Sequence, residues 1–142
     1  MSAMSTNHFT GGCLCGALRC EAEGPPLFQG VCFCSDCRKA SGSGFVGFIG
    51  FPPGAVRIAG KVLLYSKKLK NGRSAERNSC AVCGGLVFGG EIGNAEGHTI
   101  YAGSLDDPTL FKPTIAINTA EAQAWTPIPP GLTQFKAMPP GR

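Results

Sequence analysis

Apolar and polar positions alternate in short runs along this chain, and nearly every run is cut off by Gly, Pro or Asn. In residues 17–23, Leu18, Cys20 and Ala22 fall on one side and Arg19, Glu21 and Glu23 on the other, the period-two pattern of a half-buried strand. Pro25 and Pro26 end that run, and a second strand is expected over residues 27–32. Residues 35–40 read as a single helical turn. The apolar stretch 44–51 stops at Pro52 and Pro53 and reads as a buried strand, with the strand itself over 45–51. Further strands are expected at 56–59, 62–66, 86–89, 98–102 and 113–118, each bounded by turn-forming residues. Asn71-Gly72, between residues 70 and 73, favours a type I′ hairpin turn that sends the chain back toward Cys80 and Cys83.

Length and composition sharpen this into a mainly β chain. At 142 residues a single domain over 1–142 is expected, with its core over about 10–125. From Pro127 onward, prolines are frequent and charges few, so residues 127–142 are expected to lie as an extended tail over the sheet. Charged residues make up only 15% of the chain against 21 glycines and 11 prolines, which disfavours long surface helices. The net charge is a modest +4, and Lys67, Lys68, Lys70, Arg73 and Arg77 make up most of one basic stretch. Only Tyr65 accompanies these cations, so they read as a solvated loop, and nucleic acid is not expected as a partner. No apolar run reaches the ~18 residues of a membrane span. Residues 1–10 are polar, without the basic and apolar segments of a secretory signal, which points to a cytoplasmic chain with reduced thiols.

Seven of the eight cysteines form tight clusters: Cys13 and Cys15; Cys32, Cys34 and Cys37; Cys80 and Cys83. An even number of cysteines also allows a disulfide framework. A bridge within a CxC closes a strained ring, however, and the reduced compartment argues for metal. Cys13, Cys15, Cys80 and Cys83 supply the closed thiolate set of a structural zinc. Glycine follows both half-sites, at Gly16 and Gly84, where it tolerates positive φ and lets backbone N–H groups approach the sulfurs. Cys32, Cys34 and Cys37 supply only three ligands, which leaves a second zinc open to a substrate and makes these residues the candidate catalytic site. If that site were structural instead, Cys20, His98 or Asp36 would be its fourth ligand. Arg38 and Lys39 offset its negative charge and are candidates to receive a carboxylate-bearing ligand, with Ser41, Ser35 and Ser43 as hydrogen-bond donors. Cys20 reads as a buried apolar thiol, residues 104–108 as an Asx turn, and Trp125 as core packing, with a cover over the site as its other reading.

GGCLCGALRCE (11–21), CFCSDCRKASGSGF (32–45), CAVCGG (80–85) and AGSLDDP (102–108) followed by Lys112-Pro113-Thr114 resemble the glutathione-dependent formaldehyde-activating enzyme family, also called centromere protein V-like, over roughly residues 10–125. The resemblance implies a tent-like fold of small coiled antiparallel sheets, shared with zinc-binding Rab accessory proteins and type B methionine sulfoxide reductases. It also implies two zinc ions per chain: a structural one on Cys13, Cys15, Cys80 and Cys83, and a catalytic one on Cys32, Cys34 and Cys37, which an exposed three-thiolate site would hold only labilely. The implied reaction condenses glutathione, or a similar small thiol, with formaldehyde or a related aldehyde, a carbon–sulfur lyase step. The family commonly carries histidine where Phe33 and Ala116 stand, and an aromatic where Ser79 stands. Phe33, expected beside the open zinc, would favour a more apolar adduct. A non-catalytic zinc-stabilised binding module is the alternative function. Methionine sulfoxide reduction would require a redox cysteine outside the zinc ligands, and only Cys20 remains for that role.

Overall fold

The computed structural model describes residues 7–70, 72–93 and 97–140. Its strands are β1 (His8–Gly12), β2 (Arg19–Glu23), β3 (Phe28–Cys32), β4 (Val46–Phe51), β5 (Val56–Ala59), β6 (Val62–Lys68), β7 (Ser74–Cys80), β8 (Leu86–Gly89), β9 (His98–Tyr101), β10 (Ile115–Ile117) and β11 (Thr133–Gln134). The single α-helix among the described residues, α1 (Ser35–Ser41), follows β3. Strand makes up 41% and helix 12%, so sheets carry the architecture, as expected. Two sheets lean on one core: a three-stranded sheet ordered β1-β2-β5 and an eight-stranded one ordered β11-β10-β3-β4-β9-β8-β7-β6.

The alternation in β2 turns Cys20 and Ala22 inward, where they meet Phe9, Ile49, Phe51, Val87, Phe88 and Ile100 in the shared core. Phe9 meets Phe51 edge-on across the two sheets, with ring centroids 5.3 Å apart. Removing such a side chain from water contributes about 1.5–3 kcal/mol. β4 runs through the middle of the large sheet and is covered on both faces, which is why residues 44–51 are apolar without alternation.

The strands up to β9 pair antiparallel, whereas β10 runs parallel to β3 and β11 parallel to β10, so the large sheet is mixed. The proline-rich tail adds β11 at the edge of the sheet, while its Ile128 and Leu132 pack over the cluster of Val31, Phe33 and Ala116. Phe135 N–H donates to Ala116 C=O at 2.8 Å, and Thr133 N–H to Thr114 C=O at 3.0 Å. β1 has no sequence period to announce it. It is a strand because all five of its residues pair with β2 and Phe9 enters the core.

The basic stretch is not a solvated loop. Lys67 and Lys68 end β6, and Arg77 lies within β7, in a hairpin paired from Val62↔Cys80 to Lys68↔Ser74. The expected Asn71-Gly72 turn includes Asn71, which lies outside the described residues; the pairing closes with Leu69 N–H on Arg73 C=O at 2.7 Å. Trp125, expected in the core, is 69% exposed. Its neighbour Thr126 takes the buried place instead, filling the space that a side chain on Gly44 would occupy. The Asx turn forms as expected, Asp107 Oδ1 accepting from Thr109 N–H at 3.1 Å.

The Arg19 guanidinium grips Asp106 with both Nη atoms and ties β2 to the segment after β9. That grip holds the Asp106 carboxyl down at about 2. A carboxyl lowered by folding adds stability above its unfolded pKa of ~3.9 and loses it as pH falls through the folded value. Both side chains are nearly half exposed, which limits the contribution to ~1 kcal/mol or less. Asp106→Asn is therefore expected to lower the urea midpoint slightly at pH 7, with the difference from wild type shrinking below pH ~4 and vanishing only as pH falls through about 2; a difference that grew toward low pH would contradict this.

Candidate metal centres and active-site cleft

Cys13 and Cys15 follow β1, Cys80 ends β7, and Cys83 lies in the turn before β8. Their four sulfurs lie within 4.8 Å of one another. Cys13 Sγ is 3.7 Å from Cys15 Sγ, which is 3.8 Å from Cys80 Sγ. Sulfurs at tetrahedral corners ~2.3 Å from a zinc ion stand about 3.8 Å apart, so spacing and donor set both suit that ion. Backbone N–H groups point at the sulfurs: Leu18 to Cys13 at 3.2 Å, Val82 to Cys80 at 3.3 Å and Gly85 to Cys83 at 3.4 Å. Gly16 at φ 84 and Gly84 at φ 77 make these close turns possible. Burial raises the Cys13 thiol, but the Leu18 N–H and the neighbouring sulfurs outweigh it and bring the thiol down to about 6. A lowered thiol suits a ligand that binds as thiolate.

The second cluster is built where β3 runs into α1. Cys32 ends the strand, Cys34 is the helix N-cap, and Cys37 lies on the first turn, its N–H donating to Cys34 Sγ at 3.3 Å. The three sulfurs lie within 4.8 Å of one another, and among the described residues no other cysteine, histidine or carboxylate joins them. Cys20 belongs to the shared core on the other side of the sheet. Asp36 pairs with Lys67 at 2.9 Å, and His98 Nδ1 lies 3.1 Å from the Gly89 carbonyl. Cys34 is pulled far down by hydrogen bonds from Cys32 and Cys37, while Cys37 is pushed far up by the same neighbours, Cys32 first. Three thiols this close cannot all ionise without a cation among them, which suits a metal centre.

Two donors flank the cluster that the sequence did not single out. Asn118 Nδ2 donates to Cys32 Sγ at 3.3 Å, and Arg77 Nη2 approaches Cys37 Sγ at 3.8 Å. Asn118 is the one non-glycine residue with positive φ among the described residues, at φ 54 and ψ 39. Asparagine tolerates this region better than most residues, and such strain gathers at functional sites. Asn118→Gly keeps the backbone shape and deletes the donor. It is expected to weaken metal retention at this cluster about tenfold in competition with a chromophoric chelator; unchanged retention would reduce Asn118 to a turn residue.

The cluster opens onto a cleft of about 760 Å³ between the large sheet, the tip of the β6–β7 hairpin and the tail. Arg73, Arg77 and Tyr101 bring polar groups to it, and Phe28, Val46 and Phe48 line its apolar side. Arg77 Nη1 donates to Tyr101 Oη at 3.5 Å. Arg38, Lys39 and Ser41 are not among the residues lining this cleft. Lys39 is exposed, Arg38 Nε is enclosed without a partner among the described residues, and Ser41 Oγ donates to Cys37 C=O at 2.8 Å. Phe33 does not stand beside the cluster's opening either. It is fully buried behind the sheet with Val31 and Ala116, its ring 5.4 Å from that of Phe45. Phe33 alternates with Cys32 and Cys34 along an extended chain, so it must face away from them. The positions of Phe33 and Ala116 therefore share one apolar cluster, remote from the cleft.

Fold and donor sets define a β-sheet protein with a four-thiol and a three-thiol cluster, each able to hold a metal ion. The chain belongs to the glutathione-dependent formaldehyde-activating enzyme family, whose model matches residues 8–121. Its fold is similar to that of a Rhodobacter sphaeroides protein of known crystal structure, with a TM-score of 0.52 and 20% identity over 89% of this chain and 98% of that one. No curated protein matches the chain. Among the described residues, no helix is long and apolar enough to cross a membrane.

Proposed function

We propose that this chain is a zinc-dependent enzyme of the carbon–sulfur lyase kind that joins glutathione, or a similar small thiol, to an aldehyde. The observation that carries the reading is the convergence of Cys32, Cys34 and Cys37 at the mouth of a cleft, with no fourth protein ligand among the described residues. Cys13, Cys15, Cys80 and Cys83 would hold a structural zinc, and Cys32, Cys34 and Cys37 a catalytic one. Bound there, zinc would supply Lewis acidity that lowers the pKa of a thiol brought to the cluster. The reaction itself transfers no electrons between substrates. The thiol sulfur attacks the carbonyl carbon and forms the C–S bond; the C=O π pair moves onto oxygen, which takes up a proton to replace the one lost from the thiol.

The surrounding residues support this chemistry. Arg77 offsets the negative charge gathered at the sulfurs and can receive a substrate carboxylate. Burial pushes the Tyr101 phenol up to about 12, so it stays protonated and can donate a hydrogen bond to the carbonyl oxygen. Thiol ligands need a reducing compartment, which favours the cytoplasm. Zinc quantification on wild type and Cys34→Ser, each titrated with glutathione, tests the reading. About two metals per chain are expected in wild type and about one in the variant, with thiol binding lost. A variant that kept both metals and bound glutathione normally would sink it.

A further inference from the structure

The side of the cleft away from the arginines is more apolar than addition of a one-carbon aldehyde to glutathione requires. Strand register places the side chains in rows on one face of the large sheet: Ile117, Cys32 and Val46; then Ile115, Gly30 and Phe48; then Phe28 and Gly50. The glycines make room for the rings. A Cβ on Gly30 would stand 2.8 Å from Phe48 Cζ, and one on Gly50 would strike the Phe28 ring. Phe28 and Phe48 pack edge-to-face, with centroids 5.9 Å apart. The result is an apolar trough that starts at Cys32 and runs along β3 for about 13 Å, four residues at strand rise. A one-carbon electrophile at the sulfurs would reach only its Cys32 end. Glutathione, with two carboxylates and an ammonium, would lose water there without gaining hydrogen bonds, and its carboxylates are better matched by Arg73 and Arg77 across the cleft.

We infer that the trough holds the carbon chain or ring of a larger aldehyde, so that the preferred adduct is an S-(1-hydroxyalkyl) or S-(hydroxybenzyl) thiol rather than the hydroxymethyl one. This rests on the thiol-plus-aldehyde reading above. The step is unchanged in its balance: the aldehyde carbon gains the sulfur, its oxygen becomes a hydroxyl carrying a proton in place of the one the thiol gave up, and the alkyl or aryl substituent stays intact.

Calorimetric titration of the zinc-loaded protein with glutathione and with S-methyl-, S-hexyl- and S-benzylglutathione tests the inference without relying on turnover. The hexyl and benzyl thioethers are expected to bind at least about tenfold more tightly than the methyl one, given the gain for each buried methylene. Phe28→Ser, at the partly exposed far end of the trough, should shrink that difference. Equal binding of the three thioethers by a protein that binds glutathione would overturn the apolar preference and leave the thiol site standing. Failure to bind glutathione itself would overturn both. The wild-type ligand series decides the matter even if the variant does not fold.

Discussion

Cys80→Ser is expected to abolish cooperative folding at 37 °C, and excess chelator should do the same to the wild-type protein. Cys80 is buried at the end of β7, and serine has nearly its shape, so little packing would be lost by the exchange itself. What would be lost is a metal ligand. The four-cysteine cluster joins the turn between β1 and β2 to the turn between β7 and β8, fastening the small sheet to the large one across 65 residues of sequence. A structural zinc contributes on the order of 10 kcal/mol of folding free energy, comparable to the ~5–15 kcal/mol net stability of a whole domain. Thermal unfolding by circular dichroism, with and without zinc, measures the effect. A melting temperature within a few degrees of wild type, insensitive to chelator, would mean that these four sulfurs hold no metal.

Arg77→Met is expected to cut adduct formation about a hundredfold while leaving zinc content near two per chain. The guanidinium is half-buried beside Cys37 and Tyr101, where, on the proposed reading, it would offset thiolate charge and receive the substrate carboxylate. Loss of a preorganised donor of this kind costs roughly 10²–10³ in rate. Methionine preserves much of the stem's packing, so the deficit should appear in catalysis and glutathione affinity rather than in stability. Lys39→Met is the informative comparison, because Lys39 is exposed and outside the cleft. Acceleration of glutathione–aldehyde exchange, followed by NMR, would rank the two. A severe loss at Lys39 with Arg77→Met unaffected would return the carboxylate site to α1.

The cysteine groups were legible in the sequence because thiol spacing within a CxC or CxxC is local, and the union of Cys13 and Cys15 with Cys80 and Cys83 followed from counting the four ligands a closed site needs. The strand pattern was equally local, and 56–59 and 86–89 appear with the expected bounds. What escaped was set by pairing between distant segments. Residues 8–12 carry no alternation, and only the partnership with β2 makes them a strand. Arg77 looked like one more surface cation until the hairpin laid it opposite Gly89 and within reach of Tyr101 and Cys37. Asn118 acts through a backbone conformation that its identity permits but does not announce. Phe33 was misplaced for the opposite reason. Its position between two ligands suggested a neighbour of the metal, whereas strand alternation sends it to the back of the sheet.

Arg77 and Cys80 lie three residues apart on β7, one at the mouth of the cleft and the other in the anchor between the sheets. The reach from fastening to working surface is thus about 10 Å of a single strand. If both clusters hold zinc as proposed, one could not be traded against the other: loss of metal from the anchor would also slacken the wall of the cleft, so scarcity of the metal would silence the proposed chemistry even where the three-thiol cluster is still charged.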